Sequence, residues 1–501
     1  VMIGKPKKPG DIRPIVPQSM LIRLSAKVLL TLCRLGVKRA IDPWQGAVNV
    51  AAGAETIAAI FAQAMYRSRD SVGIISDKKN GYGETERDRI LQWVNDEIPL
   101  MIRFVTMVYG DYVELFFIDE LGQQASIEVW DGSLQGDVLS ALVFTGVGSK
   151  AVRIAMDKVA DRMRTMGQDP DRHELIGHLM RYIDDRADNT TVEHTEWYLK
   201  EVLVPNLESD DDIGQFVGPN DLKVVVHDPA LIESARFQPL QDYVERRRKK
   251  GFDLKIQWVS LEGDDPEGMR GVDLLGVPIG TDQYVERALQ HRLERTQREL
   301  EAIEMLPAQH RLLALRHCIV CEINFWCRTL TPQQNRVAIA DIERRITTVL
   351  RRAMLLTEEG DPSADMIEQY DSVMFQSELS TDKILSLHDF DQEFRETLSR
   401  CTLSLPMAKG GADVPVVCCS RPHAFLAGMM DVLDSKLGIM THFGHLLRSS
   451  GAKGNAMGPD VFNELARVIG KLRTHCGAIA DKADDPLPLS IFDMLRNHGD
   501  D

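Results

Sequence analysis

Three aspartates stand where the sequence predicts the ends of buried β-strands. Asp77 follows the β-branched run VGIIS, and Asp184 and Asp185 close the run RYIDD, which we interpret as a strand, a tight turn and a second strand. Carboxylates that converge from rigid strands suit a hard cation such as Mg2+. Two such ions about 4 Å apart can activate an attacking oxygen and hold a leaving phosphate, and these residues fit the needs of such a site for nucleotidyl transfer. Taken alone, an Asp pair in a turn is most often only a solvated turn.

The order of the surrounding motifs distinguishes this Asp pair from an ordinary solvated turn. A Gly-rich turn with Gln135 and Gly136 opens a helix between the two sites, and Lys223 lies on a predicted strand after them. In this order the sequence resembles the reverse transcriptases of non-LTR (LINE-like) retrotransposons. The segments that carry the resemblance are KPGDIRPIVPQSMLIRLSAKVL, DPWQGAVNVAAGAETIA, SDKKNGYGETERDRIL, DGSLQGDVLSALVFTG, RYIDDRAD, GPNDLKVVVHD, LLGVPIG and LSLPMAKGGADVPVVCCSRPHAFLAGMMDVL.

The resemblance implies a role for each matched residue. The catalytic magnesium ligands would be Asp77, Asp184 and Asp185, and Lys223 would give a proton to the departing pyrophosphate. Tyr82 would lie under the sugar of the incoming nucleotide and exclude a 2′-hydroxyl. The residues that would contact the deoxynucleotide are Arg13, Tyr82, Gln135, Gly136 and Tyr182. The turn that would grip the primer contains Leu275, Gly276 and Gly280.

Plain structural roles stay open for several of these side chains. Arg13 could be a surface residue of a Pro-rich segment, and Tyr82 could be a core aromatic residue. Gln135 could only cap its helix, and Lys223 could be an exposed strand residue. The sequence also departs from the family pattern: Gly81 stands where alanine is usual, and Ile183 stands where alanine is commoner.

Composition and charge limit the possible partners. The chain has 501 residues, of which 44% are hydrophobic and 27% charged, as in a globular protein of several domains. The net charge of −16 is unfavourable for binding phosphates. However, the first 40 residues carry nine Lys and Arg against one Asp, so we expect a basic surface there. Eight scattered Cys and the lack of a long apolar run predict an intracellular protein without a membrane partner, compatible with a nuclear location.

The patterns and the resemblance together predict an α+β right-hand polymerase, with fingers, a palm carrying an antiparallel sheet, and a thumb. Periodicity predicts helices near 19–37, 54–67, 84–96, 135–166 and 239–250, and strands near 72–76, 103–132, 174–185, 222–228 and 254–263. The predicted domains are N-terminally truncated fingers (1–70), a palm with fingers insertions (71–281), a helical thumb (282–357) and a mainly helical C-terminal region (358–501). Between residues 187 and 217 we expect a helix and then an acidic loop (ESDDD).

Three functions remain open at this point. The first is an RNA-directed DNA polymerase of a retroelement, which would use two Mg2+ (or Mn2+), an RNA template, a DNA primer and dNTPs. The second is an RNA-directed RNA polymerase, for which an Asp in place of Tyr82 and Ser-Gly in place of Gln135 and Gly136 would be expected. The third is a domesticated or decayed element that binds nucleic acid or acts as a scaffold. The acidic charge and the truncated front favour this third function, and the three intact aspartates argue against it.

Overall fold

A computed structural model describes residues 3–8, 11–15 and 18–353, apart from 49, 51, 80, 119–122, 171–175, 264, 266 and 332–333. The chain divides into two compact units, and within the described residues the first unit ends at Val285 and the second begins at Glu286. The predicted C-terminal region at 358–501 lies outside the described residues. The domain boundaries drawn from the sequence therefore stay predictions.

The fold is mixed α+β, mostly helical with small sheets. The strands of the described part are β1 (Ile3–Lys8), β2 (Asp11–Ile15), β3 (Ser71–Lys78), β4 (Val113–Ile118), β5 (Gln124–Val129), β6 (Gly177–Tyr182), β7 (Asp185–Thr191), β8 (Val217–Val226), β9 (Ile256–Ser260), β10 (Gly271–Leu274) and β11 (Val277–Gly280). The helices of that part are α1 (Met20–Leu32), α2 (Arg34–Ala40), α3 (Gly53–Arg67), α4 (Gly81–Glu84), α5 (Arg87–Glu97), α6 (Ile102–Tyr109), α7 (Ser140–Thr165), α8 (Thr195–Tyr198), α9 (Val204–Asp211), α10 (Gln238–Lys249), α11 (Asp282–Glu304), α12 (Ala308–Ala314), α13 (Val320–Thr329) and α14 (Arg336–Ala353).

The largest sheet of the first unit has five strands in the order β6-β7-β3-β8-β9. The pairs β6–β7, β7–β3 and β3–β8 are antiparallel, as the sequence predicts, but β8 and β9 are parallel. The prediction of a wholly antiparallel sheet is therefore wrong at this edge. The reason is the connection: α10 lies between β8 and β9, and a helical crossover returns the chain in the same direction.

Helices cover both faces of this sheet. On one face α3 packs closely, because a Cβ added at Gly73 would lie 2.5 Å from the ring of Phe61. On the other face Ile74 and Val224 are completely buried. Helix α7 lies on this second face: a Cβ added to its Gly148 would lie 2.5 Å from the guanidinium of Arg181 in β6. Helices thus cover the central strand β3 along most of its length, and near its end Asp77 is partly exposed.

Two segments differ from the sequence-based expectation. Residues 103–109 were expected to be strand but lie in α6, because Val105 and Tyr109 lie one helical turn apart and are both buried. The expected acidic loop near Asp212 is mostly helical, since α8, a π-helical turn and α9 follow each other from Thr195 to Asp211. Its apolar residues, including Leu203 and Leu207, are buried and explain this helix.

The described part of the second unit is helical. Trp326, Ile339 and Leu350 are buried among its helices, as the amphipathic pattern predicts. On α11, Arg295 forms an ion pair with Glu299, four residues later, at 2.9 Å. No helix in the described residues is long and apolar enough to cross a membrane.

Candidate active site

Asp77 and Asp185 face each other at one end of the five-stranded sheet. They are direct partners in the antiparallel ladder between β3 and β7, and Asp185 is also the partner of Tyr182 in β6. Directly paired residues of antiparallel strands have Cβ atoms about 4.5–5.5 Å apart and share one face of the sheet. Tyr182, Asp185 and Asp77 therefore form one row across three neighbouring strands.

Asp184 lies in the two-residue turn that joins β6 to β7, directly before Asp185. The other turn residue, Ile183, has φ 58°, in the left-handed region. A β-branched side chain adopts this region at a cost of about 1–3 kcal/mol, which the surrounding structure must offset. The buried Gln45 supplies part of the support, because its Oε1 accepts hydrogen bonds from the N–H groups of Ile183 (3.2 Å) and Ala47 (2.9 Å).

The Gln45 segment also pairs with the edge of β6. The N–H of Gly46 donates to the carbonyl of Arg181 at 2.8 Å, and the N–H of Arg181 donates to the carbonyl of Trp44 at 3.1 Å. The resemblance marks Gln45 and Gly46 as a matched pair but gives them no role. The structure gives them one, which is to hold the strand that leads into the Asp184–Asp185 turn.

Tyr82 lies in α4, next to the Asp184 turn. Its ring packs on Phe144 of α7 with the ring centroids 5.1 Å apart. Burial raises the pKa of Tyr82, and the nearby Asp184 and Tyr182 raise it further, so its hydroxyl stays protonated at neutral pH. Both roles considered for Tyr82, a core aromatic residue and a nucleotide contact, therefore fit the structure. Its ring packs on the core, and the residue lies beside a predicted metal ligand.

The loop that carries Gln135 and Gly136 lies against the Tyr82 turn. The N–H of Ser133 donates to the carbonyl of Tyr82 at 2.6 Å. Gln135 is half-buried, and Gly136 has φ 101°, a conformation that favours glycine. The structure therefore brings the predicted nucleotide-contacting residues Tyr82, Gln135 and Gly136 into one neighbourhood.

Sequence reasoning missed a buried network behind this loop. The hydroxyl of Tyr109 donates to the carboxylate of Asp137, which also accepts the N–H of Leu139 at 3.2 Å at the start of α7. Burial raises the pKa of Asp137. Arg87 donates to the carbonyl of Gly132 at 3.0 Å and lies over the Tyr109 ring. The network fixes both ends of the loop that carries Gln135.

Lys223 and the predicted primer grip lie on separate elements. Lys223 is half-buried and is the ladder partner of Ile75, two residues before Asp77, so it lies on the same face of the sheet as Asp77. Leu275 and Gly276 form a two-residue turn between β10 and β11, with φ values of 53° and 79°. At the end of this hairpin, the N–H of Gly280 donates to the Tyr66 hydroxyl at 2.9 Å.

Arg13 lies in β2, which pairs with β1. Its side chain lies outside the described part of the chain, so its predicted contact with the triphosphate stays a prediction. The side chains of Lys5, Lys7 and Lys8 in β1, which belong to the expected basic surface, also lie outside the described part.

A second missed feature is a cluster of charged side chains beneath the carboxylate row, on the face covered by α7 and α9. Lys78 Nζ lies 3.0 Å from Asp210 Oδ2. Arg186 pairs with Asp188 at 2.7 Å and lies 3.8 Å from Asp210 Oδ2. The available signal was alternation along the strand: Lys78 and Arg186 follow candidate ligands, so their side chains point to the buried face.

The donor set at the end of the sheet consists of carboxylate oxygens, which are the ligands that Mg2+ prefers. In the part of the chain that the structure describes, no group of three or more His, Cys, Asp and Glu side chains is placed to hold a metal ion. The structure thus brings Asp77 and Asp185 together as a facing pair and places Asp184 in the adjoining turn. The three-residue set remains a prediction.

Comparisons with known proteins give a distant structural likeness. No protein-family model matches the chain, and no curated protein matches it. Apo telomerase from Candida tropicalis matches with TM-score 0.37 and 9% identity over 86% of this chain and 66% of its own. A form of it truncated from the C-terminal domain matches with TM-score 0.29 and 14% identity over 43% of this chain and 48% of its own. Telomerase from Candida albicans in complex with a TWJ fragment of telomeric RNA matches with TM-score 0.30 and 11% identity over 73% of this chain and 57% of its own.

The chain thus spans 48% to 66% of the lengths of these telomerases. Identities and TM-scores this low assign the chain to no family. The function is therefore argued from the residues of the candidate site.

Proposed function

We propose that this chain is a reverse transcriptase, an RNA-directed DNA polymerase of a non-LTR retroelement. The observation that supports this most is the direct pairing of Asp77 with Asp185 across β3 and β7, with Asp184 in the adjoining turn. Two motifs that are 107 residues apart in sequence, from position 77 to position 184, thereby converge on one end of one sheet. Convergent carboxylates on rigid strands are what nucleotidyl transfer with hard cations requires.

Asp77, Asp184 and Asp185 are the residues that would hold magnesium. When bound, a pair of these ions would neutralise the charge of the triphosphate and favour attack by the primer 3′-hydroxyl. The protein itself would contribute by fixing the positions of the three carboxylates. Gln45 and the paired strands hold the aspartates in place, so little reorganisation is needed when substrates bind.

The residues around the carboxylate row would select and orient the nucleotide. The Tyr82 ring, held against Phe144, would form a wall beneath the sugar and leave no room for a 2′-oxygen. Gln135 and Gly136, on the loop hydrogen-bonded to the Tyr82 turn, would contact the base and template side. Lys223, on the same face as Asp77, would supply a proton to the departing pyrophosphate.

A local basic surface is compatible with an RNA template and DNA primer despite the net charge of −16. Between residues 18 and 41 the sequence has no Asp or Glu. The exposed basic side chains of α1 and α2 are Arg23, Lys27, Arg34, Lys38 and Arg39. Positive side chains without acidic neighbours attract phosphates, and the salt dependence of binding would report how many they contact.

Primer extension distinguishes this function from the two alternatives. The full chain is incubated with a DNA primer annealed to an RNA template, Mg2+, and either dNTPs or rNTPs. We expect extension with dNTPs, and none by Asp77→Asn, which keeps the size of the side chain but removes its charge. Extension with rNTPs in preference would indicate RNA synthesis. Binding of the primer–template without any extension would indicate a scaffold protein and would contradict the proposal.

A further inference from the structure

The two facing aspartates are each followed by a basic residue that is buried on the opposite face of the sheet. Lys78 follows Asp77 in β3, and Arg186 follows Asp185 in β7. Both reach the same atom, Oδ2 of Asp210 in α9, at 3.0 Å from Lys78 Nζ and 3.8 Å from an Arg186 terminal nitrogen. One carboxylate thus joins the residues that follow both candidate metal ligands.

These three side chains are withdrawn from solvent. Lys78, Arg186 and Asp210 are 3%, 1% and 2% exposed. Burial acts to raise the pKa of Asp210, but the positive charges of Lys78, Arg181 and Arg186 outweigh that effect and lower it, so Asp210 is ionised. Charged groups that are buried in this way interact more strongly than charged groups in water do.

Further contacts fix the direction from which Arg186 approaches. Its guanidinium donates to Asp188 at 2.7 Å and to the side-chain oxygen of Asn206 at 2.7 Å. Asn206 and Asp210 lie one turn apart on α9, so this helix holds β7 at two points. Lys78, in contrast, also meets the Gln215 side chain and the Phe144 ring. Through its ion pairs with Lys78 and Arg186, Asp210 therefore links the end of β3 to the start of β7 on the face opposite Asp77 and Asp185.

We propose that Asp210 is a positioning residue, which holds these strand ends in register so that Asp77 and Asp185 face each other. Lys78, Arg186 and Asp210 together form what we call the Asp210 clamp. This inference rests on the proposed function, since it assigns the clamp to the site that the two aspartates form. It adds that the acidic stretch before β8 supports the active site from the opposite face of the sheet.

The neighbouring Asp211 offers a matched control. It lies on the same helix and also forms a largely buried ion pair, with Arg247 at 3.4 Å, and it accepts a hydrogen bond from Tyr243 at 3.1 Å. These partners lie on α10, and neither of them is a residue of β3 or β7. Asp210→Asn and Asp211→Asn therefore remove the same charge from the same helix, and only the first alters the clamp.

The test compares both variants of the full chain by steady-state primer extension and by amide hydrogen exchange, well below their unfolding temperatures. We expect Asp210→Asn to lower kcat by about 10- to 100-fold with little change in KM for dNTP, because misplacing reacting groups slows the chemical step. Exchange should accelerate at the amides of 77–78 and 184–187. Asp211→Asn should show neither effect. Equal effects of the two variants on kcat and on these amides would overturn the clamp.

A second variant guards against poor folding of Asp210→Asn, which leaves Lys78 buried without its carboxylate. In Lys78→Met/Asp210→Asn the buried amine that has lost its partner is removed as well. The double variant should fold more stably than Asp210→Asn yet keep the low kcat and the faster exchange. Recovery of wild-type kcat would show that only the unpaired Lys78 side chain mattered and would refute the clamp. Should the wild type fail to extend primers, the proposed function falls, and the exchange comparison alone then decides whether Asp210 holds the strand ends.

Discussion

Gly81 stands where the family that this sequence resembles usually has alanine. The structure explains why a methyl group does not fit there. A Cβ added at Gly81 would lie 2.8 Å and 2.9 Å from two atoms of the Phe144 ring. Phe144 is completely buried, and its ring also contacts Tyr82 and lies beneath Lys78. We therefore predict that Gly81→Ala destabilises the protein and displaces the Tyr82 ring.

The size of the effect follows from two opposed contributions. Replacing a helical glycine with alanine ordinarily stabilises by up to about 1 kcal/mol. Here ordinary contact begins at 3.4 Å, so the Phe144 ring must move by about 0.6 Å within a filled core. Overpacking of this kind costs about 1–3 kcal/mol. The net expectation is a loss of about 1–2 kcal/mol in the free energy of unfolding.

A double-mutant cycle measured by urea unfolding isolates this contact. Phe144→Leu removes the ring that the new methyl group would meet, so Gly81→Ala should be neutral or stabilising in that background. We expect a coupling energy of at least about 1 kcal/mol between the two positions. The steric explanation would be refuted if Gly81→Ala stabilised the wild-type protein as an unhindered helical substitution does.

Two further predictions concern the sugar and the pH. Tyr82→Ala should raise kcat/KM for ribonucleotides relative to deoxynucleotides by at least about tenfold, whereas Tyr82→Phe should not, because the ring and not the hydroxyl excludes the 2′-oxygen; an unchanged ratio in Tyr82→Ala would remove Tyr82 from the sugar pocket. His227 is buried with Nε2 2.7 Å from the Met65 carbonyl, and burial lowers its pKa. The unfolded state then binds more protons below about pH 6.5, so stability should fall as the pH drops through that range. Urea midpoints should be less pH-dependent in His227→Gln, and equal pH dependence would contradict the assignment.

The strand ends that carry the candidate ligands could be predicted because their signals are local. The run VGIIS ends at Asp77, and YIDD forms the strand, turn and strand that its pattern predicts, so the sequence already indicated strand ends with carboxylates. The pairing of Asp77 with Asp185 required only that these two strands be neighbours. The order of the motifs indicated that these strands are neighbours, whereas the periodicity of either strand did not.

The missed features depend on contacts between distant parts of the chain. Nothing near Asp210 in the sequence distinguishes it from Asp211 or Asp212, and only the fold shows that it meets Lys78, 132 positions earlier. The parallel β8–β9 pair was likewise missed, because the role of α10 as a crossover is a property of the assembled sheet. Residues 103–109 were wrongly predicted as strand since valine, phenylalanine and tyrosine favour strands, while burial of one helical face decided the outcome.

The central claim is that the aspartates at the end of the sheet hold catalytic metal, and single-turnover extension by Asp184→Asn tests it most directly. The substitution keeps the size of the side chain and removes the charge that a hard cation needs. Asp253→Asn, which alters an exposed carboxylate paired with Lys255, serves as the control. We predict that Asp184→Asn folds with a wild-type circular dichroism spectrum, binds the primer–template and adds no nucleotide in Mg2+, while Asp253→Asn extends normally. Extension by Asp184→Asn at a rate near that of the wild type would show that Asp184 is not a metal ligand and would contradict the account.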